Sequence, residues 1–448
     1  MKYFLALIVV LMAAACSPAQ NSASSSNSLS GNSVAGSSAA SGSLTRTRND
    51  ELSPAQRSMA EVQRLIGEKP AEYGGYNALA NALIRRARET SDPDYFAQAE
   101  DAVQKSLKLS PNNFDTSQIQ VSILLGEHEY PAALEAAQAL NKQVPDAVMV
   151  YGLLTDANMA LGNYKDAETS AQWMLNLRPG NLPALIRAAQ LRELFGDVDG
   201  SNELFHMAYQ STAATETEER AWLLTQMGRL RLASGNSDAA EQLLQQALTV
   251  FANYPQAMTA LAKVRMVQGR YEDAVSFFRQ GYKSAPCAEN LYTLAEALRL
   301  AGHQAEAKKE FAEFEVKALA ESAGKNNANR ELIFYYADYA HQPGKALAVA
   351  KQEYSWRQDV YTLDAYSWAL HVSGQDAEAR KQIGLALAVG IRDAQLFRHA
   401  GELALKTGDR GAAERYLKES ADLNAAGSAQ ARDVLAQLSP AGRRSVEH

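Results

Sequence analysis

The residues able to do chemistry are few and dispersed. Seven histidines, His128, His206, His303, His341, His371, His399 and His448, stand singly along a chain of 448 residues. A metal site needs three or four converging ligands, and no local spacing here supplies them. Glu127-His128-Glu129 has no second histidine one helical turn away, as the zinc-hydrolase pattern requires. Gly324-Lys325 and Gly344-Lys345 lack the earlier glycine of a phosphate-cradling loop, and no Gly-x-Ser-x-Gly elbow occurs. These observations predict no enzyme, no metal and no cofactor. Two cysteines remain. Cys287 follows Pro286 and is expected to be a partly buried small residue; the alternative is an intermolecular disulfide in an oxidising compartment. Cys16 closes an apolar run and is the thiol whose neighbours suggest a modification.

The elements that would position such groups start with that run. After Lys2, Tyr3 to Ala15 is apolar but for one hydroxyl. It is shorter than the roughly 20 residues of a spanning helix and fits a signal-peptide core over residues 1–15. Small residues Ala13, Ala14 and Ala15 precede Cys16. This resembles the lipobox of bacterial lipoproteins, with Ala13 where the family usually has Leu. The resemblance implies acylation of Cys16, and Ser17 after it implies the outer membrane. Ala-x-Ala also suits the ordinary signal peptidase, which would release a soluble periplasmic protein. Residues 17–45 hold no charge and are mostly Ser, Ala, Asn and Gly. Such a stretch buries too little apolar surface to offset its ordering entropy, so residues 16–50 are expected to form a tether.

With 44 Lys and Arg against 51 Asp and Glu, the formal charge is −7. No basic cluster is present, which argues against nucleic acid as a partner. Ala, Leu, Gln and Glu dominate, favouring helix nearly throughout.

The spacing of the breaks carries the fold. Pro111, Pro145 and Pro179 recur every 34 residues. The clearest unit, Val148 to Asn181, holds Tyr151, Leu154, Gly162, Tyr164, Ala167, Ala171 and Pro179. This pattern resembles the tetratricopeptide repeat, a helix pair. Similar phrases occur at Tyr130/Ala133, Gly196/Ser201, Gly235/Ala240, Gly269/Tyr271/Ala274, Gly302/Ala307, Gly374/Ala379 and Gly408/Ala413, with a degenerate unit at Gly344/Ala346/Ala350 and a first unit carrying an insertion at Glu89 to Asp94. The resemblance implies an all-α, right-handed superhelical solenoid of about ten antiparallel helix pairs. A leading helix near Ser53 to Gly67 and a capping helix near Ser428 to Leu438 are expected to flank it. The frame is lost at Ala213 to Glu218 and at Lys317 to Asn329, suggesting sub-arrays at 51–325 and 326–442 or, equally, extended helices.

In peptide-binding relatives of this type the first helix of each pair lines a concave groove. Carried over by frame, that groove would be lined by Asp156, Gln190, Arg229, Lys263, Met266, Tyr292, Glu296 and Arg299. Arg229 and Lys263 would form a cationic spot for an acidic segment or a terminal carboxylate. The alternative is a solvated face or ion pairs such as Lys263 with Glu296. Late aromatics, from Phe334-Tyr335-Tyr336 through Tyr339, Tyr354, Trp356, Tyr361 and Tyr366 to Trp368, read as core before they read as a glycan platform. The function these features imply is a membrane-tethered scaffold of the bacterial envelope holding protein or peptide partners.

Overall fold

The computed structural model describes residues 52–322, 327–423 and 428–438. The signal segment, Cys16, the tether and Gly324-Lys325 lie outside the described residues, and so does the suggested boundary at 325/326. Among the described residues there are twenty-two α-helices and no strand. None of these helices is long and apolar enough to cross a membrane.

Helix α1 (Pro54–Glu68) begins with a reciprocal cap between Ser53 and Gln56, and Pro54 supplies the first turn without losing a needed donor. Ten helix pairs follow. Their first helices are α2 (Tyr73–Thr90), α4 (Phe114–Gly126), α6 (Val148–Ala160), α8 (Leu182–Leu194), α10 (Thr217–Ala233), α12 (Pro255–Val267), α14 (Ala288–Leu300), α16 (Asn329–Phe334), α18 (Val360–Val372) and α20 (Ala394–Lys406). Their second helices are α3 (Asp94–Leu109), α5 (Tyr130–Gln143), α7 (Tyr164–Leu177), α9 (Val198–Ser211), α11 (Ser237–Val250), α13 (Tyr271–Ser284), α15 (Gln304–Glu321), α17 (Pro343–Trp356), α19 (Asp376–Val389) and α21 (Arg410–Asp422). Helix α22 (Ser428–Leu438) caps the array where the sequence predicts it. The chain is an all-α helical solenoid.

Sequence dictates each pair in the same way. Gly162 takes φ +79° between α6 and α7, a left-handed turn that a side chain would strain. Ala167, one turn into α7, is fully buried where the paired helices approach, as are its equivalents Ala133, Ala240, Ala274, Ala379 and Ala413. In two units a histidine makes the left-handed turn instead: His128 at φ +64° and His341 at φ +51°. In the degenerate unit Gly344 lies in the first turn of α17, past the corner at His341.

The two helices of a pair are buried to different extents. Ten of the thirteen residues of α6 are buried, but only four of the fourteen of α7. The first helices are enclosed on nearly all sides and the second helices form the outer wall. Helix α16 continues as a π-helical turn, Tyr335–Tyr339. Phe311 and Phe314 of α15 share one apolar cluster with Leu332, Tyr335, Tyr336 and Trp368, so the core is continuous across the break at 323–326.

The enclosure arises because the coil meets itself at two places. One is a charged clamp. Helix α2 runs 18 residues and α10 runs 17; α2 takes up Glu89 and Thr90 of the insertion, and α10 takes up Thr217 and Glu218 of the frame break. The Arg88 guanidinium donates to Glu218 Oε2 at 2.7 Å across 130 residues, and Arg85 pairs with Glu216. Tyr254 also donates its hydroxyl to Glu218, at 3.1 Å. The other is an apolar seam. Met159, Leu191 and Leu194 pack in one cluster with Val360, Leu363 and Ile391. The Val360 amide donates to the Tyr164 hydroxyl at 2.8 Å across 196 residues. Gly162 lies against the Gln358 carbonyl and Gly196 against the Gly390 carbonyl.

Candidate functional site

The inner face of the coil is where the first helices converge, and the expected groove residues all reach it or the core behind it. None of the eight is exposed. That corrects the picture of an open, solvated groove: the seam and the clamp bring successive turns together until the inner helices are nearly enclosed.

Asp156 of α6 is 1% exposed and is held by Arg187 of α8. The guanidinium donates from Nε to Oδ1 at 2.9 Å and from Nη2 to Oδ2 at 2.5 Å. It also reaches the Gly152 carbonyl at 3.1 Å, and a Cβ at Gly152 would lie 3.0 Å from it. This two-pronged buried pair fixes the spacing between units and leaves little of Asp156 for a partner. Gln190 is half-buried, with its carbonyl oxygen enclosed and lacking a hydrogen bond. Met266 packs among Val275, Phe278 and Leu294. Tyr292 meets Phe311 and Phe314 with ring centres 5.7 and 5.1 Å apart. Glu296 pairs with Arg299 on its own helix at 3.3 Å.

Arg229 lies close enough to Lys263 to act on its charge. Burial, with Arg229 adding to it, pushes the Lys263 ammonium down to about 8, while Glu289 and Glu331 oppose the shift. The cationic spot therefore faces acids of its own chain, Glu289 rather than the Glu296 that repeat counting suggests. Arg229 also offsets the effect of burial on Glu193, whose carboxyl burial raises.

Further along the inner face lies a small cleft of about 30 Å³, partly open to solvent and lined by Arg330, Glu331, Phe334, Tyr361, Asp364, Asp393 and Gln395. Helices α16, α18 and α20 supply it. Asp393 caps α20, accepting from the Leu396 amide at 2.8 Å. Burial pushes its carboxyl up to about 6. Asp364 accepts from His399 Nδ1 at 2.7 Å, and burial pushes it up to about 7, with Arg398 opposing. Arg398 lies 2.7 Å from His399 Nε2. Arginine can only donate, so Nδ1 of His399 carries the proton. Burial and Arg398 hold the imidazole well below its usual value, and Trp368 stacks on it at 4.2 Å. With both ring nitrogens committed, His399 has no lone pair for proton abstraction.

Sequence reading missed this cleft. Counting by repeat stops being secure where α15 runs on to Glu321 and α16 breaks into a π turn. The late aromatics did carry a signal. Phe334, Tyr335, Tyr336 and Trp368 are buried in the core, with Tyr336 donating to Glu315 at 2.8 Å and Trp368 to Asp338 at 2.7 Å. That packing leaves them no platform for a sugar. Cys287, at the start of α14, is partly buried; burial, reinforced by Glu289, pushes its thiol up to about 12. Among the described residues no group of three or more His, Cys, Asp or Glu could hold a metal ion.

Residues 225–289, from within α10 to the start of α14, match the family model described as tetratricopeptide repeat. No curated protein sequence matches the chain. Among solved structures, the human IFIT1 dimer with m7Gppp-AAAA is similar at 14% identity and a TM-score of 0.48, covering 81% of this chain and 84% of that one. The APC/C hetero-tetramer Cut9–Hcn1 gives 14% identity and a TM-score of 0.46 over 79% of this chain, which spans 58% of that one's length. PilW, described as a type IV pilus biogenesis factor, gives 16% identity and a TM-score of 0.39 over 46% of this chain and 94% of that one.

Proposed function

We propose that this tetratricopeptide-repeat chain is an interaction scaffold of the bacterial envelope. It is acylated at Cys16 and tethered to the outer membrane through residues 16–50, with its solenoid facing the periplasm. It holds a segment of a protein partner for assembly of a pilus, a secretion complex or a polysaccharide exporter. The observation that carries the reading is the inner face. Ten helix pairs converge on a charge-lined interior that includes a partly open cleft, a geometry that suits an extended segment better than a folded domain. The commitment of both His399 ring nitrogens supports binding over catalysis at that place. The lipobox-like run before Cys16 supports the anchor.

The test is cross-linking in intact cells, with mass spectrometry of whatever is held to the mature chain. A protein partner lost in an Arg229→Glu, Lys263→Glu variant that still folds places the contact at the inner face. Recovery of no protein partner rejects the scaffold. A second reading, a soluble periplasmic adaptor, draws on the Ala-x-Ala sequence at Ala13 to Ala15. Detergent-phase partitioning separates the two: the tethered form enters the detergent phase and Cys16→Ala does not, whereas a soluble adaptor stays aqueous in both.

A further inference from the structure

Every helix pair has two ends. The corner inside a pair lies at one edge of the coil, and the corner between pairs lies at the other. Both closures join these edges in the same sense. At the clamp, the last turn of α2 meets the first turn of α10. At the seam, the inside corners at Gly162 and Gly196 meet the between-pair corners at Gln358 and Gly390. Later units thus set their between-pair edge on the inside edge of the first four. The apolar residues of that edge are covered there: Val360 is 1% exposed and Ile391 6%. In the first four units the same edge is where the coil starts, and its apolar residues are open. Leu109 at the end of α3 is 43% exposed, Val144 just after α5 38% and Trp173 near the end of α7 48%.

Basic residues stand among them. Lys105 and Lys108 near the end of α3, Lys142 in the last turn of α5 and Arg178 just after α7 are exposed, and none forms an ion pair with the described residues. The acids at these three corners are Asp115 and Asp146. At the neighbouring α1–α2 corner, Arg64 and Lys69 are balanced by Glu68 and Glu72. The edge is therefore locally positive in a chain of formal charge −7. The helix macrodipole accounts for a base at each helix end, but not for the open apolar side chains beside them.

That mixture suits one kind of surface. At the boundary of a bilayer, Lys and Arg meet headgroup phosphates, aliphatic side chains enter the acyl region and Trp favours the depth between. An acidic protein would pair the bases and leave Leu109, Val144 and Trp173 against charge. A second copy stacked in the same sense would offer its late inside corners at Gly374 and Gly408, where Leu405 is the exposed large apolar residue, a poor match for three. The chain also supplies proximity, since residues 16–50 with the expected acyl site lead directly to α1.

We infer that the open edge carrying Leu109, Val144, Trp173, Lys108, Lys142 and Arg178 seats on an anionic phospholipid surface, so that the solenoid stands edge-on to the membrane instead of hanging clear of it. This rests on the envelope reading above and adds a second, reversible attachment to the acyl one, since one acyl chain alone anchors weakly.

The experiment is co-sedimentation of the mature chain carrying Cys16→Ala, so that no acyl chain contributes. One set of vesicles mixes phosphatidylglycerol with phosphatidylethanolamine, and the other is phosphatidylcholine alone. Trp173 emission is the second readout, because Trp222 and Trp368 are buried. The inference expects binding to the anionic vesicles only, a blue shift on binding and loss of both in high salt. Lys108→Gln with Lys142→Gln should weaken binding at least about tenfold with an unchanged melt. Lys308→Gln with Lys309→Gln, which removes the same charge from the opposite half of an outer helix, should leave it intact. Absence of binding to the anionic vesicles, equal binding to both sets, or equal loss in the two variants overturns it. Self-association without vesicles that Leu109→Ser with Val144→Ser abolishes also overturns it, in favour of a second copy. If the first variant melts early, Lys105→Gln with Arg178→Gln replaces it, and the same loss is required. Failure here leaves the acyl anchor standing, because detergent partitioning of the native chain reads that separately.

Discussion

The two places where the coil closes on itself are built from opposite materials. At the clamp, extended helices α2 and α10 meet through Arg88–Glu218 and Arg85–Glu216. At the seam, corners after α6 and α8 meet backbone near α18 and α19 with glycines between them and apolar side chains behind. The clamp depends on charges that removal of one partner leaves stranded. The seam depends on the absence of a side chain. Closure of a repeat array therefore needs no common chemistry, only that each contact suits the surface its repeats already carry.

Breaking the clamp has the largest effect. Glu218 is 1% exposed, so Arg88→Ala strands a buried carboxylate and is expected to cost about 3 kcal/mol in urea unfolding. The Tyr254 hydroxyl at 3.1 Å keeps the loss at that end of the range. A change below about 1 kcal/mol means the clamp is solvated.

The seam is sharpened by a pair of glycines. A Cβ at Gly162 would lie 2.5 Å from the Gln358 oxygen, whereas Gly269, also left-handed, has nothing within 4 Å. Each change to Ala carries about 1–3 kcal/mol of backbone strain. Only Gly162→Ala adds the clash, so its melting temperature should fall further than that of Gly269→Ala. Equal shifts would deny the contact.

Next comes pH, which separates the regions by sign. Glu219 stands beside the clamp, and burial pushes its carboxyl up to about 7, with Arg88 opposing. A raised carboxyl binds more protons folded than unfolded. Its contribution is therefore fully present below the unfolded value of 4.5 and is lost as pH rises through about 7. Glu219→Gln should gain on the parent chain between pH 5 and pH 8, read by melts at both values, while Gly162→Ala keeps a constant offset. The smallest effect is Arg85→Ala, whose pair with Glu216 is 24% and 39% exposed, expected to stay under about 1 kcal/mol in the same urea assay.

The repeat was legible because its marks are local. Gly162 must turn left-handed, Ala167 must be small, and Pro179 must follow a helix end, all within one 34-residue unit. The leading and capping helices were legible through Ser53 and Ser428 in the same way. The closure was not, because Arg88 and Glu218 are 130 residues apart and Tyr164 and Val360 are 196 apart, and no periodicity links them. The sequence did mark the clamp indirectly: the insertion at Glu89 to Asp94 and the frame break at Ala213 to Glu218 adjoin the two helices that touch there. The groove was misread for a related cause. Repeat counting assumes an inner face open to water, and the enclosed Asp156–Arg187 pair shows how far closure removes that water.

The most direct test of closure is hydrogen exchange at the Val360 amide. As the first residue of α18 it has no partner within its own helix, and it donates instead to the Tyr164 hydroxyl at 2.8 Å. Closure predicts slow exchange at Val360 in the native chain and fast exchange in Tyr164→Phe, with the interior of α18 protected in both. Fast exchange at Val360 in the native chain would contradict it, and the solenoid would be open.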